Sequence, residues 1–223
     1  MAAPLTQSRG APNTAEARWA PIVLVIVMLV GLELMPLRQR LLPNWAPYLA
    51  AAFLLVPMLG VQLSRANVGW KRVEGIAVYV FVIFAGVLNI ALLARLVGSM
   101  LFHTHEIEPI QLLASAVAVW VLNVFTFTLL YWRVDGGGPE ARLVKRHPLD
   151  FTFSQPVELD GAHHDWHPSF VDYLFLAFTD ATAFSPTDSL PITPRAKLMM
   201  MFESSLSLVA LALVAARAIN ILR

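Results

Sequence analysis

Long uncharged apolar runs, separated by short polar stretches, occupy most of the first 132 residues. Residues 19–35 carry one charge, Glu33, and residues 46–63 carry none. Residues 75–94 are uncharged for 20 positions and residues 110–132 for 23. About 20 apolar residues in helix match a hydrocarbon core ~30 Å thick, because each residue rises ~1.5 Å. In a bilayer every backbone amide must find its partner inside the segment, so the pattern predicts four membrane helices. Trp45 and Tyr48 at one run, and Tyr131-Trp132 at another, fall where an interfacial aromatic belt sits. Pro57 lies inside the second run, where a membrane helix tolerates it.

The pattern changes at residue 133. A polar stretch over 133–169 opens with Asp135-Gly-Gly-Gly-Pro139, which breaks the helix, and contains Phe151-Thr-Phe153, which alternates as a short strand or interfacial hairpin does. Two apolar pieces follow. Residues 170–184 are short for a span and carry Asp172 and Asp180; residues 198–222 are long enough to cross despite Glu203 and Arg217. A proline-broken loop over 185–194 separates them, so the expected shape is a half-length helix, a turn and a full helix. The fold class is all-α, a polytopic membrane helical bundle of about five transmembrane helices with a re-entrant half-helix and turn. If residues 170–184 cross instead, the count is six. The expected organisation is a disordered tail (1–18), a four-helix region (19–132), a polar loop (133–169) and a terminal module (170–223). The first run lacks a small-x-small cleavage site and is read as a retained anchor.

Composition agrees with this pattern. Hydrophobic residues make up 57% and charged residues 14%, against roughly 25% charged in soluble domains. The formal charge of +1 gives no reason to expect nucleic acid as a partner. With no cysteine, disulfides and thiolate metal sites are excluded. Charge also sets an orientation. Arg9 and Arg18, then Arg65, Lys71 and Arg72, then Arg133, Arg142, Lys145 and Arg146 lie on one side, nine basic residues against Arg38 and Arg40 opposite. The positive-inside rule therefore puts the N-terminus and the long loop in the cytoplasm of a cell membrane, most naturally a bacterial inner membrane.

From residue 172 the chain reads Asp172-Tyr-Leu-Phe-Leu-Ala-Phe178, then Thr182, Asp188, Pro191, Thr193-Pro194, Lys197, Glu203 and Ala216-Arg217. Without gaps, this resembles the pore-helix, filter and inner-helix unit of bacterial two-helix potassium channels over about fifty residues. The whole chain also looks like a bacterial multi-pass membrane family that shares this turn and brings no activity with it. The channel resemblance implies a pore built from several copies, a tetramer, with Asp180, Thr182, Ala183, Phe184, Ser185, Pro186, Thr187 and Asp188 at the turn and Glu203 on the inner helix. The filter positions depart from the family. A potassium filter is a row of backbone carbonyls in a glycine-containing loop. Here those positions are Ala183, Phe184, Ser185, Pro186 and Thr187, with no glycine and with a proline whose φ is locked. A potassium-selective row is not expected. Two functions stay open: an ion pore without potassium selectivity, or a non-conducting protein that binds lipid or a partner and keeps the module as architecture.

Glu203, beside Ser204, Ser205 and Ser207, reads either as a carboxylate facing a water-filled path or as a hydrogen bond that holds the half-helix. Asp188 is expected to tie the turn, and Asp180 either lines a vestibule or bonds locally. Asn89, Asn123 and Asn220 are expected to join neighbouring helices, and Ala210, Ala212, Ala215 and Ala216 to allow close packing. Glu33 is given no role. His163-His-Asp-Trp-His167 and His103-Thr-His105 are read as solvated loop, because adjacent histidines seldom converge on a metal. No nucleophile elbow, phosphate loop or HExxH is present, so neither catalysis nor a cofactor is expected.

Overall fold

The computed structural model describes residues 16–34, 41, 43, 45–63, 68–102, 109–143, 147–154, 167–183 and 189–221. They form seven helices: α1 (Glu16–Leu34), α2 (Ala46–Leu63), α3 (Val68–Phe102), α4 (Pro109–Val134), α5 (Pro139–Leu143), α6 (Phe170–Ala181) and α7 (Pro194–Ile221). Two short strands, β1 (Phe151–Phe153) and β2 (Ser189–Pro191), pair antiparallel with Phe151 opposite Pro191. The strand foreseen at Phe151-Thr-Phe153 thus finds its partner beyond the half-helix, inside the segment read as a broken loop.

Among the described residues, three stretches are long and apolar enough to cross a membrane: Arg72–Met100, Ile110–Gly137 and Pro194–Ala216. This is fewer than the five expected. The uninterrupted apolar parts of α1 and α2, Ile22–Gly31 and Ala46–Val61, are shorter. Helix α3 is longer than its apolar run, since it starts at Val68 and carries Lys71 and Arg72 in its first turns instead of in a loop. Pro57 lies within α2, as expected. Glu33 has a role after all: it accepts a hydrogen bond of 2.7 Å from the Tyr48 hydroxyl and joins α1 to α2.

Helix α4 is the axis of the fold and packs against α1, α3, α6 and α7. Leu122, Val124, Phe127, Leu129 and Tyr131 are buried along it. Its hydroxyls do not interrupt this core, because Ser115, Thr126 and Thr128 each donate to the carbonyl four residues back in the same helix. Of the alanines expected to pack closely on α7, Ala210 is buried, whereas Ala212, Ala215 and Ala216 are exposed.

The end of α4 is closed by the polar stretch, which is no passive loop. Gly136, Gly137 and Gly138 have φ of 57°, 82° and 101°, a sequence of positive angles that side chains disfavour. The reversal lets Arg142 on α5 turn back and donate to the carbonyls of Trp132 and Asp135, both at 2.7 Å. The Asp135 carbonyl also accepts from the Gly138 amide at 2.9 Å, and a cation at this end of α4 suits the negative end of its dipole. Arg142 is buried and lies over the Tyr173 ring, 5.0 Å from its centroid. Asp135, fully buried, gathers the remaining elements. Its Oδ1 accepts from the amides of Asp150 (2.6 Å) and Phe151 (3.3 Å), and its Oδ2 accepts from the Tyr173 hydroxyl on α6 (2.6 Å).

Tyr173→Phe removes one of the donors that keep Asp135 buried and is expected to lower stability by about 1.5–3 kcal/mol. Asp135→Asn should cost at least as much, since it also weakens the two amide bonds. The double variant should lose less than the sum, because the two groups share one bond. Unfolding of the four proteins in a mild detergent measures this.

Candidate functional site

Half-helix α6 starts at Ser169, whose amide and hydroxyl both donate to Asp172 Oδ2 at 2.7 Å. A carboxylate that accepts the N-cap amide is how a short helix is begun sharply. With 12 residues, α6 is about 18 Å long, too short for a ~30 Å core. It begins beside Asp135 and ends beside Trp120, which donates to the Ala181 carbonyl at 3.3 Å and packs edge-on against Phe178. By Ser189 the chain has returned to β1. It therefore enters and leaves the bundle at the same end.

Helix α7 begins where Thr193 accepts the Ala196 amide at 3.3 Å, with Pro194 at the first helical position. This is four residues earlier than the apolar run suggested. Glu203 consequently lies nine residues along the helix, about 13 Å from its start, and not near an end. It is fully buried. The antiparallel helix α4 presents Tyr131, whose hydroxyl donates to Glu203 Oε2 at 2.5 Å. Helical side chains lean towards their own N-termini, so on antiparallel helices these two lean towards each other. From α6, Asp180 Oδ1 accepts from Ser204 at 2.9 Å, which brings the Asp180 carboxyl group beside Glu203, the residue before Ser204 on α7.

One turn further on, Asn123 donates to Ser207 at 2.7 Å and to the Glu203 carbonyl at 3.3 Å. Asn89 donates to Asn123 and to the Val119 carbonyl, both at 3.5 Å. A polar thread thus crosses α4 from α7 to α3, and its amides join helices as expected. At its far end is a cleft of about 30 Å³ between α1, α2, α3 and α4, lined by Met28, Ala51, Phe81, Leu88 and Asn89. That is space for a water or two. The Oδ1 of Asn89 is buried there without a donor.

Of the turn candidates, the structure brings Asp180 to Glu203. Thr182 turns back on α6, donating to the carbonyls of Phe178 (2.8 Å) and Thr179 (3.2 Å). Ala183 follows with φ of 58°, the left-handed position after a helix that glycine normally fills. Phe184, Ser185, Pro186, Thr187 and Asp188 lie outside the described residues, as do His163, His164, His103 and His105. Among the described residues no three His, Cys, Asp or Glu side chains converge as a metal site. Sequence reasoning missed Tyr131, read as an interfacial aromatic. Helical spacing held the signal, since Asn123 and Tyr131 lie eight apart on α4 while Glu203 and Ser207 lie four apart on α7.

A second cluster, also missed, fixes the start of α7. Asp150 Oδ1 accepts from Thr193 (2.5 Å) and Arg195 Nε (2.6 Å), and its Oδ2 accepts from Arg195 Nη2 (2.6 Å). The amide of Ile192 donates to the Asp150 carbonyl at 2.8 Å. Burial alone would raise the Asp150 carboxyl. The bonds from Arg195 and Thr193, the Arg195 charge and a backbone bond at Gly136 outweigh it and hold the group below the usual carboxylate range.

Two predictions follow from these geometries. A carboxyl lowered on folding stabilises the protein above its ordinary value, about 4, and that contribution is lost as pH falls through the lowered value. The wild-type unfolding midpoint should therefore drop in acid, and Asp150→Asn should flatten the drop. Separately, Ala183→Gly should stabilise the fold by about 1 kcal/mol, read from the same unfolding measurement at neutral pH.

Compared with protein-family models, curated proteins and solved structures, the chain gives no match, so the reading of the site rests on its own chemistry.

Proposed function

We propose that this chain is a multi-pass integral membrane protein in which the channel-like module works as a closed unit inside one protomer, not as a quarter of a conducting pore. The observation that carries the reading is Glu203. An ion path needs its carboxylates or carbonyls turned towards water, whereas Glu203 is fully buried against Tyr131 of α4 and Asp180 of α6. Loss of the filter glycines points the same way, since no row of carbonyls is expected from Ala183 to Thr187.

In this reading α1 and α2 join the three longer helices as spans, and α6 dips into the membrane and returns. Five spans put the two termini on opposite sides, and the nine basic residues assign the Asp135 end to the cytoplasm. Lipid covers the outer faces, where Phe53, Ile83, Val87, Leu208 and Ile219 are exposed. The protein then acts as a lipid- or partner-binding scaffold of the cell membrane. The alternative, a non-selective oligomeric pore, is favoured by the outer face of α7, where Leu198, Met201 and Leu208 are each about two-thirds exposed and open to a second copy.

Purified protein in planar bilayers separates the two. Silence across monovalent and divalent cations, with a monomeric mass in mild detergent, is the expected result. Cation currents from a tetramer overturn the proposal.

A further inference from the structure

Tyr131 and Ser204 each use one oxygen of the two neighbouring carboxyl groups, Glu203 Oε2 and Asp180 Oδ1. The other oxygens, Glu203 Oε1 and Asp180 Oδ2, are buried and have no donor. Both are acceptors when ionised, and two acceptors cannot bond to each other without hydrogen between them. The groups that face the pair from each element packed around it are Tyr131 from α4, Asp180 from α6, and Ser204 beside Glu203 on α7. None is a cation, and among the described residues no Lys, Arg or His pairs with either carboxyl group. Two adjacent negative charges in an apolar interior, with no counter-charge, are strongly disfavoured. One proton removes the difficulty at once. It cancels one charge, turns one orphaned acceptor into a donor and satisfies the other.

We propose that Asp180 and Glu203 form a binding site for a single proton, shared between the two carboxyl groups, which fastens the tip of half-helix α6 to α7. Binding makes one O–H bond and breaks none in the protein; release sends the proton to solvent and leaves two carboxylates side by side. Tyr131 keeps its own proton throughout and remains the donor to Glu203. Release therefore acts between α6 and α7, and leaves the bond to α4 in place. The N-terminal end of α6 is held separately, by Asp172 and by the Tyr173 bond to Asp135, so separation is confined to the tip. A shared proton is detectable whether or not current flows.

Infrared difference spectroscopy on the full chain in lipid vesicles tests it, with Glu203→Gln and Asp180→Asn as the variants. An amide at either position supplies the missing donor itself, so the remaining partner stays ionised. Each wild-type-minus-variant spectrum at neutral pH should show one protonated-carboxyl carbonyl band, shifted when the solvent is deuterium oxide. In the wild type alone, raising the pH until the band disappears should be accompanied by faster backbone amide exchange at residues 177–181. Absence of the band in the wild type overturns the proposal even if both variants fail to fold. So does its absence from either difference spectrum, or its loss with no change in exchange.

Discussion

A carboxylate buried at the end of a helix has to be surrounded by donors, and at Asp135 those donors come from two distant places in the chain. The amides of Asp150 and Phe151 start the strand β1, the Tyr173 hydroxyl belongs to α6, and Arg142 closes the backbone carbonyls beside it. The glycines 136–138 exist to let the chain double back on this group: a Cβ on Gly136 would stand 2.7 Å from the Arg142 side chain. Through β1 the same knot reaches β2 and the Asp150–Arg195 pair, and so sets where α7 begins. The angle at which α6 enters, the register of α7 and hence the depth of Glu203 all follow from it.

Polar residues inside the apolar helices obey one rule. The hydroxyls of Ser115, Thr126 and Thr128 on α4 are satisfied within their own helix and cost the packing little, so they leave no mark on the architecture. Amides and carboxyls cannot do this and are placed where two or three helices meet. Asn123 reaches Ser207, Asn89 reaches Asn123, and Glu203 reaches Tyr131. Every one of these bonds involves α4 or a helix packed on it, which is why α4 tolerates the largest share of buried polar atoms. The helix is apolar in composition, and its few buried polar groups sit where its neighbours can meet them.

How much of this was legible in the sequence depended on the range of the interaction. Apolar runs and the length of α6 are local properties, and they predicted helices, the half-helix and the break at Asp135. Caps and pairings moved the boundaries. Helix α7 starts four residues before its apolar run because Thr193 and Pro194 are good starting residues, a local signal outweighed in the reading by hydropathy. Arg142 was counted as a surface charge, since its burial depends on three glycines adopting positive φ, which composition does not reveal. The Asp150–Arg195 pair spans 45 residues and no spacing rule connects them. Glu203 stands out in the sequence as a carboxylate in an apolar run, but its neighbours Tyr131 and Asp180 come from 72 and 23 residues away and meet only once α4, α6 and α7 are assembled.

The two ends of α6 are held by different chemistry. At its base, Asp172 and Tyr173 use donors and acceptors whose protons are fixed by covalent structure: an amide, a serine hydroxyl and a phenol. At its tip, Trp120 donates to the Ala181 carbonyl and Ser204 to Asp180, while the remaining contact joins two carboxyl groups and lacks a donor of its own. A half-helix anchored firmly at one end and conditionally at the other is a lever with a defined pivot. Ala183, with its disfavoured φ of 58°, follows directly on this tip, so backbone strain sits at the end whose contact is conditional and not at the anchored base.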